Sequence, residues 1–134
     1  MGIVRMLVVC VICLALAGCQ GSPAEISMRS EEQLRTTTLH ELSVAYGSWG
    51  QPKRIRAELE RRNAFTPQEW AMIDEGRIRV GSSRELVLAA RGDPRYVRRS
   101  SSAYGGYREV WIYEQGRDRD YVYLDGIQVT GWSD

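Results

Sequence analysis

The hydrophobic period of this chain changes once, at Gly92-Asp93-Pro94, and that change constrains the fold more than any other feature. Upstream, from Thr38, apolar residues recur three and four apart behind Ser or Thr starts. Downstream they alternate one by one. Helices followed by strands in this order imply an α+β domain, with the helices packed on one face of an antiparallel sheet.

The helical part divides itself by its starts and stops. Thr38-Leu39-His40-Glu41 has the spacing of a capping box, and Leu39, Leu42, Ala45 and Tyr46 follow at helical intervals to Gly47. Gly50-Gln51-Pro52 opens a second helix with proline in its first turn. Ile55 and Leu59 share one face of it, Glu58 is placed for Arg61 or Arg62, and Asn63 ends it. Thr66-Pro67-Gln68-Glu69 is another capping box, carrying Trp70 and Ile73 as far as Gly76. Residues 77–80 alternate like a strand, and Ser82-Ser83-Arg84-Glu85 caps a further helix through Arg91.

Beyond Pro94, Tyr96-Val97 and residues 109–113 read as strands joined by a Ser- and Gly-rich loop, and residues 121–124 meet 127–132 across Asp125-Gly126, a strong hairpin signal. A turn at Asp125-Gly126 pairs Leu124 with Ile127 and Val122 with Val129, leaving Tyr121, Tyr123, Gln128 and Thr130 on the other face. Val110 and Ile112 alternate with Trp111 and Tyr113 in the same way. The expectation is an aliphatic face on the helices and an aromatic face of Trp111, Tyr113, Tyr121, Tyr123 and Trp132, rimmed by Arg108, Arg117 and Arg119, that docks a partner protein. The plainer account is that Tyr and Trp are good strand residues that pair across strands.

The first nineteen residues address the chain elsewhere. After Arg5, Met6–Ala17 runs without a polar side chain, too short to span a bilayer and the right length for an export signal. Leu16-Ala17-Gly18-Cys19 resembles the lipoprotein box of bacteria. That resemblance implies cleavage between Gly18 and Cys19, a diacylglycerol on the Cys19 thiol and attachment to a membrane through the lipid. Cys10 and Cys13, which have redox spacing, then depart with the signal, and Met1-Gly2 lacks the Ser or Thr at position 6 that myristoylation wants. Residues 19–37, with Gly, Ser, Pro and sparse apolar side chains, read as an acylated N-terminus and flexible tether, and residues 38–134 as one domain.

The composition excludes several functions. Lys and Arg number 18 against 17 Asp and Glu, and losing Arg5 with the signal brings the balance to zero, so no basic field for nucleic acid exists. One histidine, His40, and no free thiol after lipidation leave too few ligands for a structural zinc, and Asp118, Asp120 and Asp125 lack the order of a calcium loop. No catalytic residues, cofactor or metal are expected. The only lysine is Lys53; the other 17 basic residues are arginines. Arg95, Arg98, Arg99 and the basic helix 53–62 read as a solvated, ion-paired surface because Glu58 and Glu60 interleave; anionic lipid or peptidoglycan stems are the alternative contact. A hydrolase built on a perturbed Glu109 or Asp120 ranks behind both binding readings.

Taken together, residues 79–87 (RVGSSRELV), Gly92-Asp93-Pro94, Glu109-Val110-Trp111-Ile112-Tyr113 and Tyr121-Val122-Tyr123-Leu124-Asp125-Gly126 resemble the SmpA/OmlA (BamE-like) outer-membrane lipoprotein domain over residues 77–131. The resemblance implies helices on a three-stranded antiparallel sheet, an outer-membrane address with the domain facing the periplasm, and a non-enzymatic, protein-binding or scaffold role in envelope assembly or integrity. Gln20 after the lipidated cysteine is similar to the residue that permits outer-membrane transfer. The alternative is an inhibitor-like protein that blocks an enzyme through its sheet and loops.

Overall fold

The computed structural model describes residues 21–101, 103 and 105–134, so the signal, the Gly18–Cys19 cleavage site and the Cys19 anchor lie outside the described residues. The described chain is α+β. It contains helices α1 (Pro23–Ser27), α2 (Glu31–Thr36), α3 (Leu39–Ser48), α4 (Lys53–Arg61), α5 (Pro67–Asp74) and α6 (Arg84–Arg91), followed by strands β1 (Tyr96–Ser101), β2 (Tyr107–Gln115), β3 (Asp118–Asp125) and β4 (Gln128–Ser133). The strands form one antiparallel sheet in the order β1-β2-β3-β4, four strands where the resemblance implies three.

The expected helices α3, α5 and α6 have the starts their sequence specifies, while Pro52 precedes the first turn of α4 instead of lying in it. Thr38 and Thr66 accept from the amides of Glu41 and Glu69, whose carboxylates return the bond; Ser83 accepts from Leu86 N–H. Pro52 is the N-cap of α4, and Asn63 ends it with a φ of 50°.

The tether reading is corrected. Ser22 with Glu25 and Ser30 with Gln33 form two more capping boxes, each starting a single short helix. Such helices have no stability of their own in water. They are held by tertiary burial: Ile26 and Leu34 are 1% and 2% exposed and belong to the same core as Leu42, Tyr46, Ile55 and Leu59. Burying each stabilises the fold by about 2 kcal/mol. Arg62 also holds α2. Its Nη1 donates to Thr37 O at 2.8 Å, and its Nη2 to Leu34 O and Arg35 O at 2.8 and 2.9 Å, satisfying carbonyls that the end of a helix leaves free. Residues 21–37 therefore belong to the packed domain. Their apolar spacing looked sparse because each short helix contributes only one anchor.

Helices α3 and α6 touch backbone to backbone. A Cβ on Gly47 would lie 1.9 Å from Leu88 O and 2.6 Å from Gly92 N, so only glycine fits there. A second centre of packing surrounds Trp70, whose ring meets Tyr46 and Phe65 edge-on and carries the Arg56 guanidinium 4.4 Å above it.

Residues 77–80 are not a strand. Ile78 is buried, and the pairing belongs to the residues that follow: Gly81 N–H donates to Val129 O, Val129 N–H to Ser82 O and Arg84 N–H to Ile127 O. The segment before α6 thus lies along the outer edge of β4.

Candidate functional site

The faces of the sheet are set by two tight turns. Gly116-Arg117 joins β2 to β3, with Gln115 opposite Asp118, and this loop pairs every odd residue of β2 with an even residue of β3. Trp111 therefore lies opposite Val122, Glu109 opposite Leu124 and Tyr113 opposite Asp120. The expected division into an aliphatic and an aromatic face is corrected: the aromatics of β2 share a face with the aliphatics of β3. The second turn is also displaced. Gly126 and Ile127 form its loop between Asp125 and Gln128, which puts Leu124 opposite Val129, leaves Ile127 exposed and creates a bulge at Thr130 before Tyr123 meets Gly131.

The inner face packs on the helices. Trp111, Tyr113, Val122, Leu124 and Val129 are all buried there, in one core with Leu86, Val87 and Leu88 of α6. Trp111 and Tyr113, expected on a docking surface, are core residues. Trp132 lies opposite Val122, half exposed at the edge of this face.

Glu109 sits within the inner face and is buried. Trp111 Nε1 donates to its Oε2 at 2.6 Å, Arg84 Nη2 donates to the same oxygen, and Arg99 Nε donates to Oε1 at 3.1 Å. The Arg84 guanidinium also stacks over the Trp111 ring, 5.3 Å from its centroid. Burial pushes the Glu109 carboxyl up, but the donors from Trp111, Arg84 and Arg99 outweigh it and hold the group below the usual carboxylate range. Both oxygens are occupied, so Glu109 is a fixed anion that organises its neighbours. Burial pushes the Tyr113 phenol upward, and its hydroxyl donates to Gly92 O at 3.1 Å, closing the end of α6.

Among the described residues no helix covers the outer face. Tyr96, Ile112 and Tyr121 align across three strands; beside them run Arg98, Val110, Tyr123 and Gly131, then Ser100, Arg108 and Asp125. Tyr96 and Tyr123 are 52% and 40% exposed. Ser100, Arg108, Val110, Tyr123, Asp125, Thr130 and Gly131 line an open depression of about 410 Å³, formed where the bulge and Gly131 remove side-chain bulk from β4. Arg108 is 3.9 Å from Asp125, and Arg119 pairs with Glu114 at 3.0 Å. Of the residues expected at a docking surface, this face gathers Tyr121, Tyr123 and Arg108, while Arg117 stands at the tip of the first turn. It adds Tyr96 and Arg98, which sequence reasoning missed. Their facing is set by the β1–β2 register, Tyr96 opposite Ile112 and Arg98 opposite Val110, which the long loop between those strands does not specify.

The remaining candidates do not converge. His40 is exposed on the first turn of α3, Asp118 and Asp120 fall on the opposite face from Asp125, and Arg91 lies 3.5 Å from Asp120. Among the described residues no three His, Cys, Asp or Glu side chains come together as metal ligands, and no helix is long and apolar enough to cross a membrane. No family model, curated protein or solved structure matches the chain.

Proposed function

We propose that this protein is a lipid-anchored lipoprotein of the outer membrane, facing the periplasm, whose domain is a non-enzymatic protein-binding module in envelope assembly or integrity. The observation that carries the binding role is the outer face of the sheet, which no helix covers among the described residues and where Tyr96, Tyr121 and Tyr123 stand beside Arg98 and Arg108. Exposed tyrosine and arginine around a shallow depression are the side chains that dominate protein interfaces. The partner is a carboxylate-bearing protein segment: Arg98 has no ion-pair partner among the described residues, and Arg108 is held only at 3.9 Å. A helix followed by an antiparallel meander with a tight closing hairpin supports the SmpA/OmlA resemblance, with one strand more than it implies.

The test is site-specific photocrosslinking in cells, from Tyr123 and from Gln68 on α5, with Cys19→Ser as the unanchored control. The proposal expects a discrete adduct from Tyr123 that is absent from Gln68 and weakened by Arg108→Glu. Identical adducts from both positions, or none from Tyr123 in the anchored protein, overturn it.

A further inference from the structure

We propose that the α2–α4 face of the domain lies flat on the phosphate-bearing surface of the bilayer that holds the anchor, an inference that rests on lipidation at Cys19. The first described residue, Gly21, is two residues beyond Cys19. Two residues of chain reach at most about 7 Å. The packed body of the domain follows at once, because α1 starts at Pro23 and Ile26 is already in the core. An anchor at Cys19 therefore leaves no length for the domain to stand off the membrane.

The side chains around that entry point identify the face. Arg29 lies against Gly21, with its Nη2 2.8 Å from the position of a Cβ there, and the Arg29 carbonyl accepts a bond from Arg54 Nη2 at 2.9 Å. The anchor point and α4 are thus joined through one residue. On α4, Lys53, Arg54, Ala57 and Arg61 are exposed, and they face Arg35 of α2 across a groove of about 330 Å³. Arg35, Lys53 and Arg54 form no ion pair among the described residues. Of the two carboxylates lining the groove, Glu58 is taken by Arg61 and Arg62, which leaves Glu31; at the entry point Glu41 lies 3.8 Å from Arg29. Met28, between the anchor point and α2, is 83% exposed, an apolar side chain placed to enter the headgroup layer.

These cations are spread along two helices and do not converge on one point. That arrangement fits the lateral array of phosphates in a lipid surface better than a single bound phosphate. The attraction belongs to the leaflet carrying the anchor, since the lipid on Cys19 supplies the first of the two signals that stable membrane attachment requires.

The experiment uses the full protein purified from membranes, with the mass of its Cys19 peptide measured first. It is then reconstituted in vesicles of phosphatidylcholine alone or with phosphatidylglycerol added, and amide exchange is followed in 31–36 and 53–61. The proposal expects exchange about three-fold slower or more on the anionic vesicles, a difference that high salt abolishes. The double variant Arg35→Glu/Lys53→Glu, whose altered side chains make no hydrogen bond among the described residues, should abolish it too, with exchange in β2 and β3 unchanged. Lipid-modified Cys19 with equal exchange on both vesicles overturns the flat-lying face alone. An unmodified Cys19 overturns the anchor and this inference together.

Discussion

Trp111 Nε1 donates to Glu109 Oε2 at 2.6 Å, so two residues on one face of β2 bond to each other and draw Arg84 of α6 and Arg99 of β1 onto the same carboxylate. The bond ties the helix layer to two strands through one buried anion.

Glu109→Ala should therefore cost about 3 kcal/mol, the loss typical when one partner of a buried charged cluster is removed. Trp111→Phe removes the donor together with the five-membered ring of the buried indole, and should cost about 2 kcal/mol. Urea denaturation of the three proteins checks both values; equal stability of Glu109→Ala and wild type would refute the assigned role.

Acid should weaken the fold through carboxylates held ionised by their partners. Glu58 is lowered from 4.5 to about 2, chiefly by the side-chain bond from Arg61 and, against the cost of burial, by that from Arg62. A carboxylate with a depressed folded pKa contributes stability that is present above its unfolded value and lost as pH falls through the folded one. Thermal melts should fall between pH 4.5 and about 2. Glu58→Gln should be less stable at neutral pH and should flatten that acid limb.

Gly47→Ala should destabilise by about 3 kcal/mol, the upper range for overpacking, because the methyl meets the Leu88 carbonyl and the Gly92 amide, neither of which can rotate away. Gly50→Ala meets no neighbour but carries a φ of 73° and should cost about 1 kcal/mol. Denaturant midpoints of the pair separate packing from backbone strain.

Arg62→Ala should release α2, costing about 2 kcal/mol for the carbonyls left without donors. Amide exchange in residues 31–36 should rise more than in α3. Arg62→Lys should rescue little, since an ammonium cannot serve Glu58 and three carbonyls at once in the planar geometry that the guanidinium provides.

The sequence made the starts of α3, α5 and α6 legible because Thr38, Thr66 and Ser83 specify them locally. It concealed α1 and α2 because Ile26 and Leu34 are single anchors whose value comes from Tyr46 and Leu59, remote in sequence. The strands were legible as strands, but not their relative facing. Alternation within β2 and β3 was read correctly; the phase between them depended on the two residues of the Gly116-Arg117 loop, and Trp111 and Tyr113 went to the wrong side with it. The closing turn slipped for a similar reason: Gly126, with a φ of 59°, occupies the first loop position and not the second. Glu109 is singled out in the sequence only as a candidate hydrolase carboxylate, and its cluster was not legible because its donors come from β2, α6 and β1.

The segment Gly81–Arg84 lies against β4, while β1 has no neighbour beyond it among the described residues. A sheet open at both sides can add copies of itself without end. Among the described residues this one is open along β1, whose strand carries Arg98 and Arg99, while the covered start of β4 leaves a copy only the few residues beyond Val129 to pair with, so growth through both edges at once is hindered. A crowded population of such domains therefore meets a shortened template at one edge and a charged one at the other, which disfavours fibre growth through the sheet.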